Sequence, residues 1–68
     1  MIDRKAYRIA FDLHAKWEQP PMTEKEWEVC IKDGCSAVDQ GNGTPFINDL
    51  VAAVIHEIER QYQAMEGA

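Results

Sequence analysis

Hydrophobic residues recur every three to four positions in three segments of the chain, which are separated by two groups of helix-breaking residues. Pro20-Pro21 forms the first break and Gly41-Asn42-Gly43 forms the second. Apolar side chains at this spacing lie on one side of an α-helix. The pattern therefore predicts three helices, over about 3–17, 24–40 and 45–66.

The first segment has a wide apolar side. Its apolar residues cover roughly 200° of a helical wheel, against the ~100° of a simple surface helix. Asp3 is placed to cap the first turn, and Pro20 is expected to end the segment, because the residue before a proline avoids helical geometry. We expect this helix to contact two neighbours, or one neighbour and another chain.

The second segment begins with a clear helix-start signal. Thr23 and Glu26 have the spacing of a capping box, and Met22 and Trp27 have the spacing of a hydrophobic staple. Gly34 falls in the middle of this helix and leaves two interpretations. It allows a neighbouring backbone to approach closely, or it breaks the helix; the in-phase apolar spacing that continues to Val38 favours close approach.

The third segment follows a glycine-rich loop. Gly41 is predicted to end the second helix in the left-handed conformation, and Thr44-Pro45 is predicted to cap and begin the third. Apolar residues then recur from Phe46 to Met65, and Gly67 is predicted to end the helix. This is the longest and most regular of the three patterns.

Three helices joined by short loops favour an all-α, up-down-up three-helix bundle in one domain that covers 1–68. The core is expected to combine the residues at the centre of each apolar side. These are Ala6, Ile9, Ala10, Leu13, Trp17, Trp27, Ile31, Val38, Ile47, Leu50, Val54 and Ile58.

Charge and composition narrow the classes of partner. The net charge of −5 and the dispersed basic residues argue against anionic membranes and duplex DNA as the main partner. The longest apolar run, Leu50 to Ile55, is far too short to span a bilayer, and no apolar signal-peptide region follows the first residues. Cys30 and Cys35 are poorly spaced for a disulfide on one helix, so two reduced thiols and a cytoplasmic location are expected.

Candidate chemistry in the sequence is sparse. The stretch beginning His56-Glu57 has Arg60 where a zinc-protease helix has its second histidine, and His14 has no nearby acid or cysteine to complete a site. Cys30 and Cys35 lack the spacing of zinc ligands. We therefore predict no catalytic residues, no metal site and no cofactor, and a protein that is not an enzyme.

The first and third segments carry more apolar residues than one small core is expected to cover. Six residues are predicted to form an exposed interaction face: Tyr7, Phe11, His14, Val51, Ile55 and Tyr62. Such patches are typical of protein interfaces, and a homodimer is the commonest way to cover one. The competing interpretation is that these residues belong to the monomer core.

Two other functions remain open. The acidic charge and small size are compatible with an inhibitor or nucleic-acid mimic that binds a basic protein, as some small phage proteins do. Three short helices are also the framework of helix-turn-helix regulators, although only Arg60 among acidic neighbours is available for DNA contact on the third helix. The leading prediction is a small interaction module that associates with itself or with another protein.

Two stretches of the chain, 6–14 and 44–51, resemble small uncharacterised helical proteins of bacteriophages and mobile elements of Gram-positive bacteria. The resemblance extends over most of the chain and contains no diagnostic motif. It implies an accessory protein of a phage or mobile element and transfers no functional residues.

Overall fold

Three helices form the fold: α1 (Arg4–Lys16), α2 (Glu24–Gln40) and α3 (Pro45–Glu66). They come from a computed structural model that describes residues 1–66. The predicted segments match these helices to within one residue at each described end. The predicted end at Gly67 lies outside the described residues.

Each helix begins directly after the residue whose side chain was predicted to cap it. Asp3 accepts a hydrogen bond from the backbone N–H of Ala6 at 3.0 Å, and Thr44 Oγ1 accepts one from the backbone N–H of Ile47 at 3.3 Å. Thr23 Oγ1 accepts one from the backbone N–H of Glu26 at 3.1 Å. Side-chain caps of this kind satisfy backbone donors that the first turn of a helix leaves without partners.

The helices run up, down and up. The rings of Tyr7 and Phe46 meet near the N-terminal ends of α1 and α3, so these two helices are parallel. Trp27, in the first turns of α2, meets Tyr62 near the end of α3, so α2 and α3 are antiparallel. Every pair of helices is in contact, which confirms the predicted all-α three-helix bundle.

The core lies along the line where the three helices meet. Of the predicted core residues, one group is buried: Ala6, Ile9, Ala10, Leu13, Ile47 and Ile58. A second group is half-buried: Trp17, Val38, Leu50 and Val54 pack against the core, and Trp27 packs edge to face against Tyr62. The prediction is wrong for Ile31, whose side chain is 49% exposed.

Helix α2 presents small side chains to the core rather than its larger apolar residues. Cys30, Gly34 and Ala37 are its buried residues. Their stripe is rotated away from Ile31, which therefore lies on the outer side of α2. The sequence pattern favoured Ile31 because burial of a larger apolar side chain stabilises the fold more. In the structure α2 is instead rotated so that Cys30, Gly34 and Ala37 face the core.

Gly34 lies within an uninterrupted α2, so the alternative of a helix break is wrong. A Cβ atom at this position would lie 3.4 Å from Val51 Cγ1 and 3.5 Å from Ile55 Cδ1. These are ordinary van der Waals distances to side chains of α3, so the prediction that Gly34 allows a neighbouring backbone to approach closely is wrong as well.

Helix α2 ends at Gln40 as predicted, but the left-handed conformation that follows it begins one residue later than predicted. Gly41 has φ −89°, and the left-handed residues are Asn42 at φ 64° and Gly43 at φ 63°. The backbone N–H of Gly43 donates to Val38 O, and that of Asn42 donates to Asp39 O, as in a Schellman motif with asparagine at C′. The prediction of a left-handed Gly41 is wrong. Glycine is needed at this position for lack of space, because a Cβ there would lie 2.6 Å from Ile47 Cγ1.

Candidate functional site

Aromatic side chains join α1 and α3 on the side of the bundle that is away from α2. The rings of Tyr7 and Phe46 pack edge to face, with their centroids 5.3 Å apart. Both side chains are exposed, and so is Phe11 one turn further along α1, at 69%. These aromatic groups therefore form part of the protein surface rather than of the core.

A cleft of about 400 Å³ continues this surface towards the C-terminal end of α1. Phe11, His14 and Glu18 line one wall, and Val54 and Gln61 line the other. The side-chain carbonyl oxygen of Gln61 is buried and finds no hydrogen-bond donor within residues 1–66. A buried acceptor without a donor is costly, and a ligand or partner that donates to it would remove that cost.

The structure brings together only the α1 half of the predicted interaction face. Tyr7, Phe11 and His14 lie together on the side that faces outward between α1 and α3. The prediction is wrong for Val51, which is only 7% exposed and belongs to the core cluster. It is also wrong to group Ile55 and Tyr62 with the α1 residues, because these two side chains are half-buried towards α2.

The reason is the rotation of α3 about its own axis. Val51, Ile55 and Tyr62 lie on the edge of α3 that packs against Gly34 and Trp27 of α2. The opposite edge of the same apolar side lies beside α1. On a helical wheel of α3 both edges of this side are apolar. The sequence therefore could not predict which edge faces outward.

We call the resulting surface the α1–α3 face. Its residues are Tyr7, Phe11 and His14 from α1 and Phe46, Leu50 and Val54 from α3. The sequence analysis missed Phe46 as a surface residue, whereas Leu50 and Val54, which it assigned to the core, are half-buried and form the floor of this face. The available signal was the spacing 46-50-54, which marks one edge of the helix at every turn.

A second exposed apolar area lies on the outer side of α2. Ile31 and the half-buried Trp27 line a shallow depression there, together with Glu28. Ile31 is smaller than the aromatic side chains of the α1–α3 face, and the unsatisfied Gln61 oxygen is not part of this depression. This area provides a matched comparison for experiments on the α1–α3 face.

Asp33 forms the main polar contact between α1 and α2. Its Oδ2 atom accepts a 3.0 Å hydrogen bond from Trp17 Nε1 and lies 2.9 Å from Lys16 Nζ. The hydrogen bond from Lys16 holds the pKa of the Asp33 carboxyl below its usual value, and the bond from Trp17 acts in the same direction. These contacts join two helices and leave the carboxylate satisfied, so we interpret them as structural.

Apart from His14 and Glu18, which line the same cleft, the reactive side chains do not converge. Burial raises the pKa of the Cys30 thiol, and the nearby Asp33 carboxylate raises it further. His14 lines the cleft, whereas His56 and Cys35 are exposed elsewhere. Within residues 1–66 no group of three or more His, Cys, Asp and Glu side chains is arranged to hold a metal ion.

Comparison with known proteins gives no relative on which to base a function. No family model matches the chain, and neither the curated proteins nor the solved structures contain a significant match. The resemblance to small phage proteins therefore stays a prediction. In the part of the chain that the structure describes, every helix is too short or too polar to cross a bilayer.

Proposed function

We propose that this protein is a small non-enzymatic interaction module that forms a homodimer through the α1–α3 face. The observation that carries the proposal is the exposure of Phe11, whose aromatic ring projects 69% uncovered beside the cleft. Exposed aromatic groups that cluster on one side of a small protein are typical of interface centres.

The extent of the face is compatible with a stable dimer. Tyr7 and Phe46 extend the aromatic surface beyond Phe11, and Leu50 and Val54 form its half-buried floor. A standard interface covers about 800 Å² on each partner. That is a modest share of the 4953 Å² surface of this chain, and two adjacent helices can supply it.

The chemistry of the cleft supports binding rather than catalysis. The residues that line it contain no serine, threonine, cysteine or lysine to act as a nucleophile. Its ionisable side chains are His14 and Glu18. Two ionisable groups without a nucleophile are a poor basis for covalent catalysis, whereas apolar walls around a few polar groups suit recognition.

The test is the solution mass measured by light scattering over a range of concentrations, with helicity followed by circular dichroism. We expect the wild-type protein to approach twice its monomer mass of 7.8 kDa as concentration rises. Phe11→Glu should shift the mass to that of the monomer and leave helicity intact, because Phe11 is exposed and its replacement places two like charges at the interface.

Ile31→Glu is the matched control. Ile31 is also exposed on a helix, at 49%, but on the outer side of α2. This variant should dimerise like the wild type. A wild-type protein that stays monomeric at all concentrations would contradict the proposal and would direct attention to the acidic surface and a basic protein partner, whose binding should weaken steeply with salt.

The thiols support a cytoplasmic location as part of the same proposal. Cys30 and Cys35 are both free, and Cys35 is exposed. Exposed free thiols persist in reducing compartments and are readily oxidised outside them. Partition of the protein between cytoplasmic and exported fractions of its host would test this part of the proposal.

A further inference from the structure

One side of α1 carries a regular stripe of side chains that is suited to pairing with another helix. Arg4, Tyr7, Phe11, His14 and Glu18 follow one another at spacings of three and four residues. This is the spacing by which two helices pack lengthwise against each other. We call these five residues the α1 stripe; its central part belongs to the α1–α3 face.

The two ends of the α1 stripe carry opposite charges. Arg4 and Glu18 are both exposed, and neither forms an ion pair within residues 1–66, where the ion pairs are Arg8–Asp12, Lys16–Asp33 and Arg60–Glu57. Each is therefore available to a partner.

Both charges are unfavourable for α1 itself. The N-terminus of a helix carries partial positive charge and its C-terminus partial negative charge. Arg4 occupies the first turn of α1, which contains no acidic residue, and Glu18 follows the last turn. Neither charge stabilises the isolated helix. We therefore attribute the positive charge at the start of α1 and the negative charge after its end to contacts with another molecule.

The cleft contains a second acceptor beside Glu18. Both Glu18 and Gln61 line it, and the buried Gln61 Oε1 atom lacks a donor among the described residues. An arginine guanidinium carries five N–H donors in a planar fork. A guanidinium that enters the cleft therefore finds the Glu18 carboxylate and, once the Gln61 side chain turns towards the cleft, a second acceptor in Gln61 Oε1.

We propose that two copies of this chain pack antiparallel along the α1 stripe, with the Arg4 guanidinium of each copy held by Glu18 and Gln61 of the other. Arg4 lies seven residues before Phe11, two turns or about 10 Å along the helix, and Glu18 lies seven residues after Phe11, just beyond the last turn. A twofold axis at Phe11 therefore places the partner subunit's Arg4 opposite Glu18. A parallel arrangement would oppose like charges at both ends.

This arrangement rests on the proposed self-association and is tested by a charge exchange. The dimer dissociation constant is measured for Arg4→Glu, for Glu18→Arg and for the double variant. Each single variant should weaken dimerisation by about tenfold or more, and the double variant should recover to within about threefold of the wild type. Lys5→Glu, which makes the same charge change on another side of α1, should alter the constant by less than about threefold.

Weaker dimerisation of these variants cannot be explained by unfolding of the monomer. Arg4→Glu and Glu18→Arg both place charges that suit the helix dipole, so the monomer should be at least as helical as before. Gln61→Met gives a further readout: it removes the unsatisfied acceptor, so it should weaken the dimer without lowering the stability of the monomer. A role confined to the monomer would leave dimerisation unchanged.

The outcomes separate the two proposals. If the wild-type protein is monomeric throughout, self-association itself is wrong, and the antiparallel arrangement fails with it. If the protein dimerises, but the single variants match Lys5→Glu or the double variant shows no recovery, self-association stands and the pairing of Arg4 with Glu18 is wrong.

Discussion

Trp17 Nε1 donates a 3.0 Å hydrogen bond to Asp33 Oδ2, and this bond joins the residue that ends α1 to the middle of α2. The same oxygen lies 2.9 Å from Lys16 Nζ. One carboxylate thus contacts the last residue of α1 and the residue that caps it, and it accepts the hydrogen bond of the indole N–H of a half-buried tryptophan.

We expect Asp33→Ala to destabilise the protein by about 1–2 kcal/mol, because it removes a charge-assisted hydrogen bond and an ion pair together. The free energy of unfolding should be measured by urea denaturation at neutral pH. Asp12→Ala is the control, since Asp12 forms only an exposed ion pair with Arg8, and it should cost less than about 0.5 kcal/mol. Equal losses in the two variants would contradict the structural role of Asp33.

The same carboxylate predicts a dependence on pH. The pKa of Asp33 is lowered in the folded protein from its usual 3.8, so its stabilisation is complete above that value. It is lost as the pH falls below 3.8 towards the lower folded pKa. The difference in the free energy of unfolding between the wild type and Asp33→Asn should therefore shrink in this acidic range. Well above pH 3.8 it should not change with pH.

Gly34→Ala is expected to stabilise the protein by about 0.5–1 kcal/mol. Alanine favours the helix over glycine, and the added Cβ would make ordinary contacts with Val51 and Ile55 at 3.4 and 3.5 Å. Thermal and urea unfolding of the variant would measure the gain. A loss of stability would mean that α2 and α3 require glycine at their contact.

Gly41→Ala is the opposite member of this pair and should destabilise by about 1–3 kcal/mol. Its Cβ would lie 2.6 Å from Ile47 Cγ1 and 2.9 Å from Ile47 Cβ, and Ile47 is fully buried. The backbone at Gly41 has an ordinary negative φ, so the loss would report the clash with Ile47 rather than backbone strain.

The two thiols are expected to react at very different rates with a soluble disulfide reagent. Cys35 is exposed and should be modified at once in the native protein. Cys30 is buried, and burial raises its pKa, so its thiolate is both scarce and covered. Cys35→Ser should lose the fast reaction and retain only a slow one that accelerates with denaturant; a fast reaction in this variant would show that Cys30 is accessible.

Much of the local structure was accessible from the sequence. Asp3, Thr23 and Thr44 mark the starts of the helices because each cap is a hydrogen bond within three residues of the chain. The long periodic pattern of α3 likewise predicts its own helix. The capping box is satisfied in a modified form, in which Glu26 Oε1 accepts from the backbone N–H of Met22 instead of that of Thr23.

The sequence by itself determined where the helices begin and end, since those features depend on neighbours along the chain. Only the tertiary structure decided which edge of each wide apolar side is covered. It buried Val51 and left Phe46 exposed, and it replaced Ile31 in the core with small residues of α2. The physical reason is that the rotation of each helix about its axis depends on how all three helices pack together. The periodic pattern of a helix fixes the direction of the centre of its apolar side far better than it fixes which edge of that side is covered.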